Sequence, residues 1–331
     1  MSSAKPFKPP RWLRHPHLQS MLPSLPVRAR RVAVTAAAVL AASREVLLDC
    51  GDGVRLQGFH AQQPVPARHL VLIHHGWEGS ASSSYVLSLA ARLWAAGHDV
   101  FRLNMRDHGD THHLNEELFH SCRLGEVVNA VCGVQSLAPD RLLTLVGYSL
   151  GGNFALRIAA SAPAAGLRLR QAIAICPVLD AASTLAALEG GLWIYRHYFI
   201  QKWARSLQLK AQAFPGRYNF AGLLRDRRLT PMTEQLVLQY TEFPSLAAYL
   251  QGYALVYGCL DQLQVPCRLI TALDDPIIPA QDLLRLRATP QLRVTPTPQG
   301  GHCGFLETLN GRGWVDGEVL AELERDMTAR S

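Results

Sequence analysis

The sequence predicts an α/β protein: a mostly parallel central sheet flanked by helices, with a helical cap inserted late in the chain. Three observations lead there. Apolar runs such as "HLVLIHH", "RLLTLV" and "QAIAIC" are continuous rather than alternating, as in strands buried on both faces. Segments with helical apolar spacing separate them, which gives the alternation of a parallel sheet covered on both sides. From about residue 179 to 263 no clear strand pattern occurs, although aromatics are dense, as in "LWIYRHYFIQKW" and "QYTEFPSLAAYLQGY". A helical insertion between two strands of one sheet is the economical reading.

In chain order, "FKPPRWLRHPHLQSMLPSLP" is rich in proline, and residues 1 to about 45 are expected to run extended over the surface of a single domain spanning 1–331. "REVLLDCGDGVRLQGFHA" reads as a hairpin, because apolar alternation flanks the Gly51-Asp52-Gly53 turn. "HLVLIHH" is a buried strand. "SYVLSLAARLWAA" is helical and stops at Gly97, a natural C-terminal cap, before the strand "DVFRLNM". "LGEVVNAVCGVQSL" is helical, "RLLTLV" a strand, "NFALRIAASA" a helix and "QAIAIC" a strand. After the insertion, "CRLITAL" and "LRVTPT" are strands with "AQDLLRLRA" between them, and "DGEVLAELERDMTA" closes the chain as a helix.

Composition narrows the class. The chain has 331 residues, 48% apolar and 18% charged, which suits a folded globular protein and excludes a disordered one. Its net charge of +7 is scattered rather than striped with aromatics, so it reads as solubility, with nucleic-acid binding a weak alternative. The densest basic segment, Arg28 to Arg31, precedes "VAVTAAAVLAAS", which falls short of the roughly 20 residues needed to cross a bilayer. It also starts too far inside the chain for an ordinary secretory signal. Peripheral contact with a membrane surface stays open. The seven cysteines form no Cys-x-x-Cys pair, which fits a reducing, cytoplasmic setting.

"GYSLGG" at 147–152 sits where a strand hands over to a helix. A serine hydroxyl is a weak nucleophile and must project towards a base and towards donors for an oxyanion. A sharp strand-to-helix turn does this, and it requires small residues two before and two after the serine, here Gly147 and Gly151. Ser149 is therefore the candidate nucleophile. The following helix also aims its N-terminus at developing negative charge. An acid and a base should follow in loops after late strands. "ALDDPIIP" offers Asp274 and Asp275, of which Asp275 stands in the favoured register while Asp274 shapes the turn; both can also be read as solvated turn residues. "QGGHCGF" supplies His302 as base. The oxyanion donors are expected to be the Leu150 amide and, from "HHGWEG", the Trp77 amide beside Gly76. The Trp77 ring has two readings, pocket wall and packing.

These motifs together resemble the α/β-hydrolase fold, and more narrowly the bacterial YheT-like family related to the mammalian ABHD hydrolases of the first and third type. The resemblance runs over almost the whole chain. "PHLQSMLPSL" and "NMRDHGDTHHLNEELFHS" carry the narrower assignment, whereas "HHGWEGSASSSY", "GYSLGGN", "ALDDPIIP" and "GGHCGF" are shared more widely. It implies a Ser149–Asp275–His302 esterase or lipase-like activity on a small-molecule acyl ester or lipid-like substrate, with no metal or organic cofactor. The chain departs from its relatives at Arg106-Asp107-His108-Gly109, where Arg-Gly-Cys-Ser is frequent.

Other readings compete. Asp107, His108, Asp110, His112 and His113 could ligate a divalent metal and run a metal-dependent hydrolysis, against a solvated loop at the cleft mouth. A non-catalytic binding protein on the same fold is another. Among the cap aromatics, Trp193, Phe199 and Trp203, with Tyr195 and Tyr198, are candidates to line an acyl pocket, against packing within the cap. Cys303, next to His302, reads as a small buried hydrophobe.

Overall fold

The structure is a computed structural model that describes residues 6–65, 67–308 and 313–328. Residues 1–5 of the expected extended segment and Ala329 at the end of the expected closing helix lie outside the described residues. The strands are β1 (Ser43–Asp49), β2 (Arg55–Ala61), β3 (His69–His74), β4 (Asp99–Leu103), β5 (Leu142–Tyr148), β6 (Leu169–Ile175), β7 (Cys267–Ala272) and β8 (Leu292–Thr297). They form an eight-stranded sheet in the order β1-β2-β4-β3-β5-β6-β7-β8. β2 runs against both its neighbours, and every pairing from β4 onwards is parallel. The expected hairpin is β1–β2, turned by Gly51, Asp52 and Gly53, all at positive φ.

Alternation along each buried strand divides the core into two. Leu70 and Leu72 of β3, Leu143 and Leu145 of β5, and Ala172 and Ala174 of β6 join one apolar cluster. Their sequence neighbours Val71, Ile73, Val146, Ile173 and Ile175 join the other. A continuous apolar run thus serves both faces, since successive side chains point to opposite sides. Each fully buried Leu or Ile contributes about 1.5–3 kcal/mol.

The N-terminal segment departs from expectation. Instead of running extended it forms the helices α1 (Pro16–Met21), α2 (Pro26–Thr35) and α3 (Ala37–Ala42). Proline caused the misreading: Pro16 and Pro26 each stand at the start of a helix, where the missing N–H is no loss and the fixed φ suits the first turn. The helices α4 (Ser84–Ala95), α5 (Leu124–Leu137) and α6 (Leu150–Ser161) alternate with strands as expected. Residues 179–263 contain α7 (Ala181–Gly190), α8 (Trp193–Ala213), α9 (Leu229–Tyr240) and α10 (Leu246–Gln251), and no strand among the described residues. "AQDLLRLRA" forms only a 3-10 helix, Ala280–Arg285, and α11 (Trp314–Thr328) closes the fold. No helix among the described residues is long and apolar enough to cross a membrane.

Candidate active site

Backbone strain marks one edge of the sheet. Among the described residues, the non-glycine positions at positive φ are Asp52 in the hairpin and Glu78, Asp107, Ser149, Cys176, Cys303 and Phe305. All but Asp52 lie in loops that follow β3, β4, β5, β6 or β8. Such conformations carry roughly 1–3 kcal/mol of strain each and gather at sites where the surroundings over-determine the backbone.

Ser149 sits at φ 53° and ψ −117°, immediately before α6. The glycines beside it are required by backbone approach. A Cβ on Gly147 would stand 2.1 Å from the Gly151 carbonyl oxygen, and one on Gly151 would stand 2.3 Å from that of His75. Neither neighbour can yield, because both are main chain. Gly76 brings the loop after β3 against the same serine, with a Cβ there 3.2 Å from the Ser149 Cβ. Its amide donates to Tyr85 Oη at 2.9 Å. Of the expected amide donors, Leu150 follows Ser149 directly as the first residue of α6, where amides have no intrahelical partner, and Trp77 follows Gly76 and lines the same cavity.

The chain reaches His302 from far along the sequence. His302 Nε2 lies 3.0 Å from Ser149 Oγ, and its Nδ1 lies 2.8 Å from Asp275 Oδ2. The other Asp275 oxygen accepts the amides of Ile277 and Ile278 at 2.8 and 3.0 Å. Asp275 thus faces the imidazole, whereas Asp274 accepts the Gly301 amide at 2.9 Å and so holds the histidine loop. Burial opposes a charged His302, but the charges of Asp275 and Cys303 outweigh it and hold its pKa well above the usual value.

Two supports were not foreseen. Ser20 Oγ accepts the His302 amide at 2.8 Å, while Gln19 bonds the amide and the carbonyl of Leu306 at 2.7 and 3.1 Å. Gly301 and Gly304 admit α1 this closely, since a Cβ on Gly304 would lie 2.1 Å from the Gln19 carbonyl oxygen. The signal was present in "PHLQSMLPSL", but nothing in one sequence says which loop that motif grips.

Ser149, His302, Trp77, Phe199 and Trp203 line a single cavity of about 630 Å³. The Trp77 ring stacks on Phe199 at 5.2 Å and meets Trp203 edge-on at 5.5 Å, so it is pocket wall and packing surface together. Trp193 is the exception: it is 64% exposed at the start of α8 and does not line the cavity. The next two residues, Ile194 and Tyr195, line the cavity while Trp193 is rotated away from it at the first position of α8, so its expected acyl-pocket role is not supported by position. Tyr195 and Tyr198 do line the cavity.

Cys303 also lines it, and Cys176 lies behind. Cys176 Sγ donates to the Gly301 carbonyl at 3.8 Å and Cys303 Sγ to the Ile175 carbonyl at 3.6 Å. Burial pushes both up, and in Cys303 the neighbouring Cys176 and the adjacent His302 reverse this and bring it down to about 6.

The cluster from Asp107 to His113 does not converge. Asp107 pairs with Lys210 at 2.8 Å and accepts the Phe119 amide, His108 bonds the Arg106 carbonyl, His112 bonds Ser206, and Asp110 and His113 face outwards. Burial lowers His108 and takes His112 down to about 4.

The sheet order, the glycine-bounded serine turn after β5 and the cap over the strand ends define the architecture of an α/β hydrolase. The family model for the alpha/beta hydrolase fold matches residues 69–309, and the chain belongs to that family. No curated protein sequence matches it. Among solved structures, the Pyrococcus furiosus esterase Pf2001 is similar with a TM-score of 0.59 and 14% identity, over 86% of this chain and 90% of that one. A membrane phospholipase A described as a bacterial virulence factor gives 0.57 and 16%, over 92% and 93%. Alpha/beta hydrolase domain-containing protein 10 from mouse gives 0.54 and 16%, over 87% and 100%.

Proposed function

We propose that the protein is a serine hydrolase that cleaves carboxylic esters through an acyl-enzyme, with Ser149 as nucleophile, His302 as general base and acid, and Asp275 orienting the imidazole. The observation that carries this is the unbroken bond sequence Ser149 Oγ, His302, Asp275 at the wall of a mainly apolar cavity. In its neutral form, with the Nδ1 proton held by Asp275, His302 presents a lone pair at Nε2 and takes the Ser149 proton as the oxygen attacks the acyl carbon; the raised pKa means that this form gains on the imidazolium as pH rises. The oxyanion then falls to the Leu150 and Trp77 amides. Return of the proton expels the alcohol, and water repeats the sequence on the acyl-enzyme.

Phe199 and Trp203 on α8 suit an acyl chain rather than a charged group. The YheT-like branch is the narrower placement we favour, because its N-terminal motif is the one that grips the histidine loop.

The source of the substrate is suggested by charge. Lys5, Lys8, Arg11, Arg14, Arg28, Arg30, Arg31 and Arg44 all precede the first acidic residue, Glu45, an excess larger than the +7 of the whole chain. Leu25 of the same segment and Ile194 and Tyr198 of α8 line the cavity while standing exposed, an apolar rim to which Lys202 adds a cation, although Arg28 itself is buried. That combination suits an anionic lipid surface.

A chain-length series of acyl esters, free and in neutral or anionic vesicles, tests the proposal together with a fluorophosphonate probe. Wild type should label and turn over, faster on anionic vesicles, while Ser149→Ala should not label and should lose about 10⁴-fold or more in kcat. Absence of labelling in wild type supports a binding protein. Activity that survives Ser149→Ala but not chelation supports metal-dependent hydrolysis.

A further inference from the structure

We propose that Cys176 Sγ, Cys303 Sγ and His302 Nε2 form a site for a soft divalent cation, Zn²⁺ or Cd²⁺, whose occupation shuts off the serine. These three ligand atoms all lie within 4.8 Å of one another, the one such convergence of His, Cys, Asp and Glu among the described residues. Cys303 Sγ is 3.9 Å from His302 Nε2. Around a tetrahedral zinc with bonds of about 2.0–2.3 Å, neighbouring ligand atoms stand roughly 3.5–3.8 Å apart, so each side chain need move by no more than about 1 Å.

The histidine is already prepared as a ligand. A metal-bound imidazole normally gives its other ring N–H to a carboxylate, which fixes the tautomer and raises ligand basicity. Asp275 does this at Nδ1. The remaining lone pair at Nε2 can accept the Ser149 hydroxyl or bind a cation, but not both. Access is open on one side: His302 and Cys303 line the cavity, with the His302 side chain 12% exposed, while Cys176 closes the site from within. Cys303 Sγ lies 3.6 Å from the Ile175 carbonyl oxygen and Cys176 Sγ 3.8 Å from that of Gly301, weak contacts that a cation would replace. The ion takes both cysteines as thiolates, any proton they carry passing to solvent, and the two thiolates neutralise its charge.

Binding does not depend on the hydrolase reading; only the inhibition does. Cd²⁺ is titrated into reduced, chelator-treated full-length protein, with the thiolate-to-cadmium charge-transfer absorption as readout, alongside ester hydrolysis. One saturable equivalent per chain is expected in wild type and in Ser149→Ala, with hydrolysis falling in step and returning with EDTA. Cys303→Ser should weaken binding about tenfold or more, and Cys176→Ser likewise. If the Cys176 variant does not fold, Cys303→Ser decides. Saturation with unchanged affinity in Cys303→Ser, or a band that persists in the double variant and so belongs to other thiols such as the exposed Cys259, overturns the proposal. So does the absence of a band. Hydrolysis that survives Ser149→Ala while the band is retained sinks the serine mechanism and leaves the metal site standing.

Discussion

The segment from Arg106 to His113 and the cluster around His302 contain the same kinds of side chain and end in opposite states. In the first, five potential ligands stand within seven residues, yet their atoms are turned to separate protein partners: Lys210, the Phe119 amide, the Arg106 carbonyl and Ser206. In the second, groups from the ends of β5, β6, β7 and β8 meet within bonding distance. The first segment is built to hold the cap. Lys210 of α8 is wholly buried and donates to Asp107 and to the carbonyls of Asn115 and Glu117. Burial lowers the Lys210 pKa and raises that of Asp107, which marks a pair whose desolvation is only partly offset by mutual attraction. Closeness along the chain therefore says little about a site; closeness at the sheet edge says much.

Matched substitutions in the two regions separate a chemical role from a structural one. The largest effect is expected at Asp275→Asn, which should lower kcat about 10⁴-fold by losing the imidazole tautomer while leaving the melting temperature near that of wild type. A fall of less than tenfold would remove Asp275 from the mechanism.

Asp107→Asn should do the reverse. It strands the Lys210 charge in the interior and should destabilise the fold by about 3–5 kcal/mol in denaturant titration, with kcat of the folded fraction within a fewfold of wild type. Equal stability in the variant would mean the pair is solvated.

A smaller, graded effect is expected from acid. His108 and His112, with His75 at about 3, have folded pKa values depressed by burial. The unfolded chain binds protons near pH 6.5 that these three buried imidazoles refuse, so their contribution to stability should be flat above that pH and fall below it, whereas the raised His302 loses its own contribution only as pH climbs above that value. Each imidazole contributes up to about 1.4 kcal/mol per pH unit until its folded pKa is reached. Denaturant midpoints measured from pH 8 to pH 5 check the sign; a midpoint that rises on acidification would contradict it.

Several features were legible without coordinates because they depend on local rules. Continuous apolar runs specify buried parallel strands, and Gly147 and Gly151 around Ser149 specify a turn whose backbone leaves no room for a Cβ. The order of Ser149, Asp275 and His302 along the chain follows from strands presenting one edge to the site. Trp193 was misjudged because a helix spreads neighbouring residues around its axis, so membership of an aromatic run does not say which members face inwards. The helical N-terminus was misjudged because proline both ends and begins helices.

By itself, the sequence determined the layer architecture, the strained serine turn and the residue types available for chemistry, since these follow from periodicity and from sterics within a few residues. Only the tertiary structure decided which groups meet: Asp275 rather than Asp274 on the imidazole, Ser20 and Gln19 beneath the histidine loop, and Cys176 beside Cys303. Those pairings join residues up to 287 positions apart, and their geometry is set by strand order and register, which no local pattern encodes.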